Sequence, residues 1–259
     1  MTMLELFLAE FRRSWIQFIR YPTEAIAGVV ITTSIFYGLF LSTRYIAGPS
    51  LQLGERLDAI VVGYVLWSLV LFIMTDIAGG LQYEAQTGTL EQLFLSPFGA
   101  PRVFVMRTLA SLMLQLAIIL SILLLIMALT GSRLAFPPTL LLPLLTVLLG
   151  AYGLAFMMGS LALLLKRVQQ LLGIFQFALL FLMTTPLETW TGSLQVVRWL
   201  LPMTTGAGLL RDLMARGKGL DFGQFSLALL NGIGYLTLGI LIFRFAERET
   251  KRRGKLSAY

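Results

Sequence analysis

The chain has 259 residues, of which 57% are hydrophobic and only 13% charged, and its mean hydropathy is +0.83. A soluble domain is about 25% charged, so this composition excludes an ordinary soluble globule and predicts one all-α integral membrane domain over 1–259. The net charge of +7 comes from 20 Lys and Arg against 13 Asp and Glu; basic loop ends of a membrane protein account for it without nucleic acid, and the lack of Cys and His removes disulfides, Cys/His zinc sites and His-dependent triads, so no metal site or catalytic set is expected.

The first twenty residues mix apolar side chains with Glu5, Glu10, Arg12, Arg13 and Arg20 and have no continuous apolar core, which argues against a signal peptide. Leu4, Phe7, Leu8, Phe11, Trp15, Phe18 and Ile19 recur at three- and four-residue steps. That spacing predicts an amphipathic helix lying on the membrane surface and ended by Pro22. A spanning helix needs about 20 mostly apolar residues. Six stretches meet this: 25–43, 59–81 with Asp76 inside it, 108–132, 134–165 with a helix starting at Pro137-Pro138, 168–187 and 222–243. The piece from Trp199 to Leu210 is too short to span and contains Pro202, Gly206 and Gly208. It reads as a re-entrant or interfacial hairpin broken at Pro202, Thr204 and Thr205, whose polar backbone needs protein or water to satisfy it. No internal repeat or low-complexity segment is evident.

Six spans put both termini on one side. With the termini in the cytoplasm, thirteen Lys and Arg fall inside and seven outside, which favours that orientation. Residues 82–107 then form a cytoplasmic loop. Within it, Thr89 followed by Gln92 fits a capping box, with Gly88 permitting the tight backbone before it. Leu90, Leu93 and Phe94 make a one-turn apolar face, and Ser96-Pro97 stops the helix. Such a helix is either an ordinary surface-lying loop or a docking knob for a partner's cleft.

The run Glu84, Gly88-Thr89-Leu90-Glu91, Leu93, Ser96-Pro97 resembles the first cytoplasmic loop of the ABC type-2 permeases, the membrane halves of exporters for drugs, antibiotics, lipids and lipid-linked polysaccharides. The N-terminal amphipathic helix ending in "RYP", the six spans and the broken hairpin agree, so the resemblance covers essentially the whole chain. It implies that 1–22, with Arg12, Arg13 and Arg20, is the connecting helix. It also implies that 82–98 is the coupling loop, with Leu90 to Ser96 in the coupling helix, and that 185–221 is the extracytoplasmic re-entrant segment. Glu84 matches a glutamate that in relatives braces the loop against the connecting helix, here against Arg12 or Arg13. No G-x-x-x-x-G-K-[ST] and no LSGGQ-like signature is present. The resemblance therefore implies a non-enzymatic half-transporter that binds no cofactor of its own. ATP and Mg would be used by a separate ABC ATP-binding subunit. The other partners would be membrane lipid and a second permease copy, as a homodimer or a heterodimer with a paralogue. The expected location is the bacterial inner (plasma) membrane.

Other polar and small residues have plainer readings. Asp76, near Gly79-Gly80, suits a structural hydrogen bond or a bond to Arg107 better than a proton relay. Gln169, Gln170 and Gln176 suit helix–helix bonding, and Ala151, Ala155 and Gly159 form a small-xxx-small packing stripe. Glu188 reads as a solvated span end. Tyr37, Tyr64, Trp67, Phe175 and Phe177 could meet an amphipathic substrate, though most would face lipid or core. A membrane-embedded assembly or anchoring protein is the rival reading. An intramembrane enzyme fails for want of a catalytic set.

Overall fold

The computed structural model describes residues 3–47, 54–87, 100–165, 169–189 and 194–252. Helix α1 (Met3–Arg20) carries Glu5 in its first turn and Arg20 in its last, each complementing the helix dipole. Tyr21 separates it from α2 (Pro22–Ala47), where Pro22 takes the first helical position and needs no hydrogen-bond partner there. The rings of Phe7, Phe11, Trp15 and Phe18 follow one another along α1 at 6.2–6.4 Å. Only Leu6 of α1 is buried, while Leu4, Leu8, Ile16 and Ile19 are exposed. The helix is there, and it is amphipathic as the spacing predicts.

The second expected span contains three elements: α3 (Gly54–Met74), a π-helical segment (Thr75–Gly79) and α4 (Gly80–Thr87). Helix α3 is the centre of the bundle, with Val61, Leu69, Val70 and Ile73 almost wholly buried. It touches α2 through the Tyr64 hydroxyl, which donates to the Thr32 carbonyl at 2.8 Å. Next come α5 (Ala100–Thr130), a short 3₁₀ turn (Pro138–Leu140), α6 (Leu141–Leu165) and α7 (Gln169–Thr184). Gly131, with φ 75°, ends α5 in the left-handed conformation that glycine tolerates. A 3₁₀ turn (Leu187–Thr189), α8 (Leu194–Leu200), α9 (Thr204–Met214) and α10 (Phe222–Arg252) complete the fold. No strand occurs among the described residues.

Among the described residues, five helices are long and apolar enough to cross a membrane. The exception to the six expected spans is α7. Its 16 residues reach ~24 Å against a hydrocarbon core of about 30 Å. The apolar sequence continues to Leu187, but Pro186 cannot donate a ladder bond and holds Thr185 out of the helix.

Helices α6 and α10 form the most extensive pair in the bundle. A Cβ at Gly239 would collide with the backbone of Gly153, and a Cβ at Gly153 with the backbone of Tyr235. The two chains touch main chain to main chain, the approach that small residues permit in membranes. The expected Ala151–Ala155–Gly159 stripe is buried on another side of α6. There a Cβ on Gly159 would lie 2.8 Å from Leu81 and 3.3 Å from Ile77. Trp67 and Tyr64 are core residues, whereas Phe177 and Phe175 are exposed. Trp67 Nε1 donates to the Gln176 main-chain carbonyl at 2.9 Å, which ties α7 to α3, and Gln170 is exposed.

Candidate functional site

The two ends of the bundle each hold a polar construction. At the first, α4 brings Glu84 to the start of α5. Arg107 Nη1 lies 3.1 Å from Glu84 Oε1, and Arg107 Nε lies 3.6 Å from Glu10 Oε2 on α1. Arg13 lies 3.6 Å from the same Glu10 oxygen. One guanidinium thus joins three helices. The partner of Glu84 is Arg107 on α5 rather than Arg12 or Arg13, and α1 is reached one step further, through Glu10. The reason is charge order on α1: Glu10, one turn before Arg13, faces inward and needs a cation. Both carboxylates are only 13% exposed at the side chain, so each would be costly to leave unpaired. Arg12 is exposed, and Arg20 sits over the Tyr21 ring at 5.9 Å.

This ion chain closes the base of the 82–98 loop, because α4 ends at Thr87 and α5 begins at Ala100. Thr87 Oγ1 donates to the Tyr83 carbonyl at 3.0 Å and secures the last turn of α4. Gly88, Thr89, Leu90, Glu91, Leu93, Phe94, Ser96 and Pro97 lie outside the described residues. Just above the ion chain, Asp76 in the π segment accepts a hydrogen bond from Ser111 Oγ at 2.9 Å, the structural bond its position suggests.

The other construction is the broken hairpin. Helix α8 ends at Leu200, Met203 adopts φ 61°, and α9 begins at Thr204. A left-handed residue other than glycine is strained; a Cβ on Gly150 would come within 2.6 Å of Met203 Cγ, so the side chain that Gly150 lacks leaves room for Met203. Thr204 Oγ1 donates to the Arg198 carbonyl at 2.6 Å and the Leu201 carbonyl at 3.1 Å. Helix α10 supplies the rest. Asn231 Nδ2 donates to the carbonyls of Trp199 (2.8 Å) and Leu201 (3.2 Å), its Oδ1 accepts from the Met203 amide, and the Tyr235 hydroxyl donates to the Leu200 carbonyl at 2.7 Å. The open backbone at the break is therefore satisfied by protein, as burial demands. Helix α9 is buried from Thr204 to Arg211 among α3, α6 and α10. Thr205 Oγ1 is buried with no hydrogen-bond partner among the described residues.

Glu188 is not the solvated span end expected of it. Arg211 Nη1 lies 2.6 Å from its Oε2 and Arg216 Nη2 lies 3.0 Å from its Oε1, while the side chains of Arg211 and Glu188 are 2% and 8% exposed. Arg211 also donates to the Met183 carbonyl, and Arg198 Nη1 donates to the Glu188 carbonyl at 3.1 Å. Burial pulls the Arg211 pKa below its ordinary value, and the neighbouring Glu188 carboxylate opposes that; a guanidinium stays charged all the same. The pair fastens the end of α7 to the middle of the bundle. Sequence reasoning missed it because the two residues are 23 apart and each reads singly as a loop charge. Asn231 did leave a signal, as an amide in the middle of an apolar run.

The model of the ABC-2 type transporter family matches residues 5–215. The chain belongs to that family. It is an ABC-type permease, a multi-pass membrane protein, and members of its family are membrane subunits without catalytic activity of their own that associate with an ABC ATP-binding subunit. The match runs from the first turns of α1 through the 82–98 loop and the broken hairpin to just past α9, so the ion chain and the hairpin of the permease fall within it, while Arg216, Asn231 and Tyr235 lie beyond it. No match was found among curated proteins.

Proposed function

We propose that the chain is the membrane half of an ATP-driven exporter, moving an amphipathic drug, a lipid or a lipid-linked glycan out of the cytoplasm or inner leaflet of a bacterial inner membrane. Both termini face the cytoplasm, as the thirteen-to-seven distribution of Lys and Arg favours. Two copies, identical or paralogous, form the pathway, and each meets an ATP-binding subunit that uses ATP and Mg. Residues 185–221 form the extracytoplasmic re-entrant segment, with the break at Pro202, Thr204 and Thr205 as its gate. The observation that carries this reading is the family match together with the ion chain Glu84–Arg107–Glu10. That chain ties both ends of the 82–98 loop to α1, so a push on the loop would move three helices rather than one. ATP binding by the partner shifts the bundle between inward- and outward-open states by binding one of them more tightly.

The test is affinity purification of the tagged permease from its native membrane in mild detergent. The expected result is a complex of two permease chains with two ATP-binding subunits. Recovery of the permease without any ATP-binding chain would instead support an anchoring protein.

A further inference from the structure

Beside the ion chain lies a cavity of about 770 Å³, walled by α1, the first turn of α2, the end of α3, the π segment, α4 and α5. This is within the range of ~300–1,000 Å³ typical of small-molecule pockets. Its lining places four carboxylates against two guanidiniums. Glu10 and Glu84 are engaged with Arg13 and Arg107. The other two carboxylates, Asp76 and Glu24, make no direct ion pair among the described residues: Asp76 takes a hydroxyl bond from Ser111 and shares the field of Arg107 with Glu10 and Glu84, and Glu24 is exposed in the first turn of α2. Carboxylates at the edge of a membrane are expensive to keep without a counter-charge.

Two further features set the walls. The π segment puts an extra residue into the turn that carries Asp76, a device often found at functional sites. Gly79 ends it and Gly80 follows, and a Cβ at Gly80 would meet nothing within 4 Å. That glycine thins the wall of an open space without serving any packing contact. The remaining lining mixes uncharged polar side chains, among them Gln17, Thr75 and Gln115, with Phe18, Phe72, Tyr83 and Leu114. An aromatic face attracts an organic cation. A metal ion is a poorer occupant, because no three acidic side chains among the described residues stand close enough to hold one. An anion would face four carboxylates against two guanidiniums.

We propose that this cavity binds an amphipathic organic cation, its positive head between Asp76 and Glu24 and its apolar body against Phe18 and Phe72. The proposal deepens the exporter reading by naming a substrate class, and it rests on that reading for its meaning in transport. The binding itself needs neither ATP nor the ATP-binding subunit, so its failure and the failure of the exporter reading are separable.

The experiment measures equilibrium binding of tetraphenylphosphonium to the full-length permease in the neutral detergent dodecyl maltoside. Saturable binding is expected, with no competition from tetraphenylborate, which has the same shape and the opposite charge. Asp76→Asn keeps an acceptor for Ser111, and Glu24→Gln alters an exposed residue of α2. Each is expected to weaken binding about tenfold, a typical effect for one well-placed charge. Added phosphatidylethanolamine asks whether a lipid ammonium is the natural occupant: displacement of the probe would identify the lipid headgroup, and no displacement a free amphipathic cation. Either result keeps the site. Equal affinity for the borate, or unchanged binding in the Glu24→Gln variant, would overturn the proposal even if Asp76→Asn failed to fold.

Discussion

Arg211→Met is expected to lower the stability of the permease by about 3–5 kcal/mol, the cost of breaking a buried ion pair on one side. The size follows from burial. The side chains of Arg211 and Glu188 are 2% and 8% exposed, so the glutamate left behind cannot recover its hydration. The methionine would also abandon the Met183 carbonyl that Arg211 now satisfies. Replacing both charges, in Arg211→Met with Glu188→Met, should cost less than Arg211→Met alone, because two apolar side chains leave no orphan. Lys218→Ala should cost only about 0–1 kcal/mol, since Lys218 is 60% exposed and meets Asp212 at the surface. Thermal melting of each variant in detergent, followed by size-exclusion chromatography, checks the order. A wild-type melting temperature for Arg211→Met would show that the pair does not hold α7 to α9.

Gly239→Ile is expected to cost about 3 kcal/mol, the upper part of the range for overpacking. Most overpacked sites yield by turning a flexible neighbour, but the atoms facing Gly239 are the backbone of Gly153, which cannot turn aside. The helices α6 and α10 would have to part. That movement would also carry Asn231 and Tyr235 away from the hairpin carbonyls they satisfy, so the damage should reach α8 and α9. Gly234→Ile on the same helix is the control. A Cβ there meets nothing within 4 Å, and a change within about 0.5 kcal/mol is expected of such a position. Comparable melting of the two variants would contradict the close backbone contact.

Much of the architecture was legible because membrane helices announce themselves by length and polarity. The amphipathic helix α1 showed in the three- and four-residue recurrence from Leu4 to Ile19, and the break between α8 and α9 showed in Pro202 inside an apolar piece too short to span. What stayed hidden depends on contacts distant in sequence or on local geometry with no composition signal. The π segment at Thr75–Gly79 has no sequence mark beyond its glycines. The partner of Glu84 was misread because charge sign alone cannot choose between Arg13 and Arg107 when Glu10 stands beside the first. Glu188 was misread because a carboxylate after an apolar run is ordinarily solvated, and only the fold shows Arg211 buried opposite it. The small residues of α6 were recognised as packing sites, yet the closest approach uses Gly153, which lies off the Ala151–Ala155–Gly159 stripe.

The central claim is that the 82–98 loop receives the motion of an ATP-binding subunit and passes it to the bundle through Glu84 and Arg107. Leu93→Asp tests it most directly, by pull-down of the ATP-binding subunit together with substrate-stimulated ATP turnover in the reconstituted complex. Loss of a central apolar anchor costs an interface on the order of 2 kcal/mol, about thirtyfold in affinity. The variant is expected to insert and melt like the wild type, because Leu93 is proposed to dock outside the bundle, while retention of the ATP-binding subunit and stimulated turnover both collapse. Glu84→Ala should retain more of the binding and lose stimulation. Wild-type binding and turnover in Leu93→Asp would contradict the account.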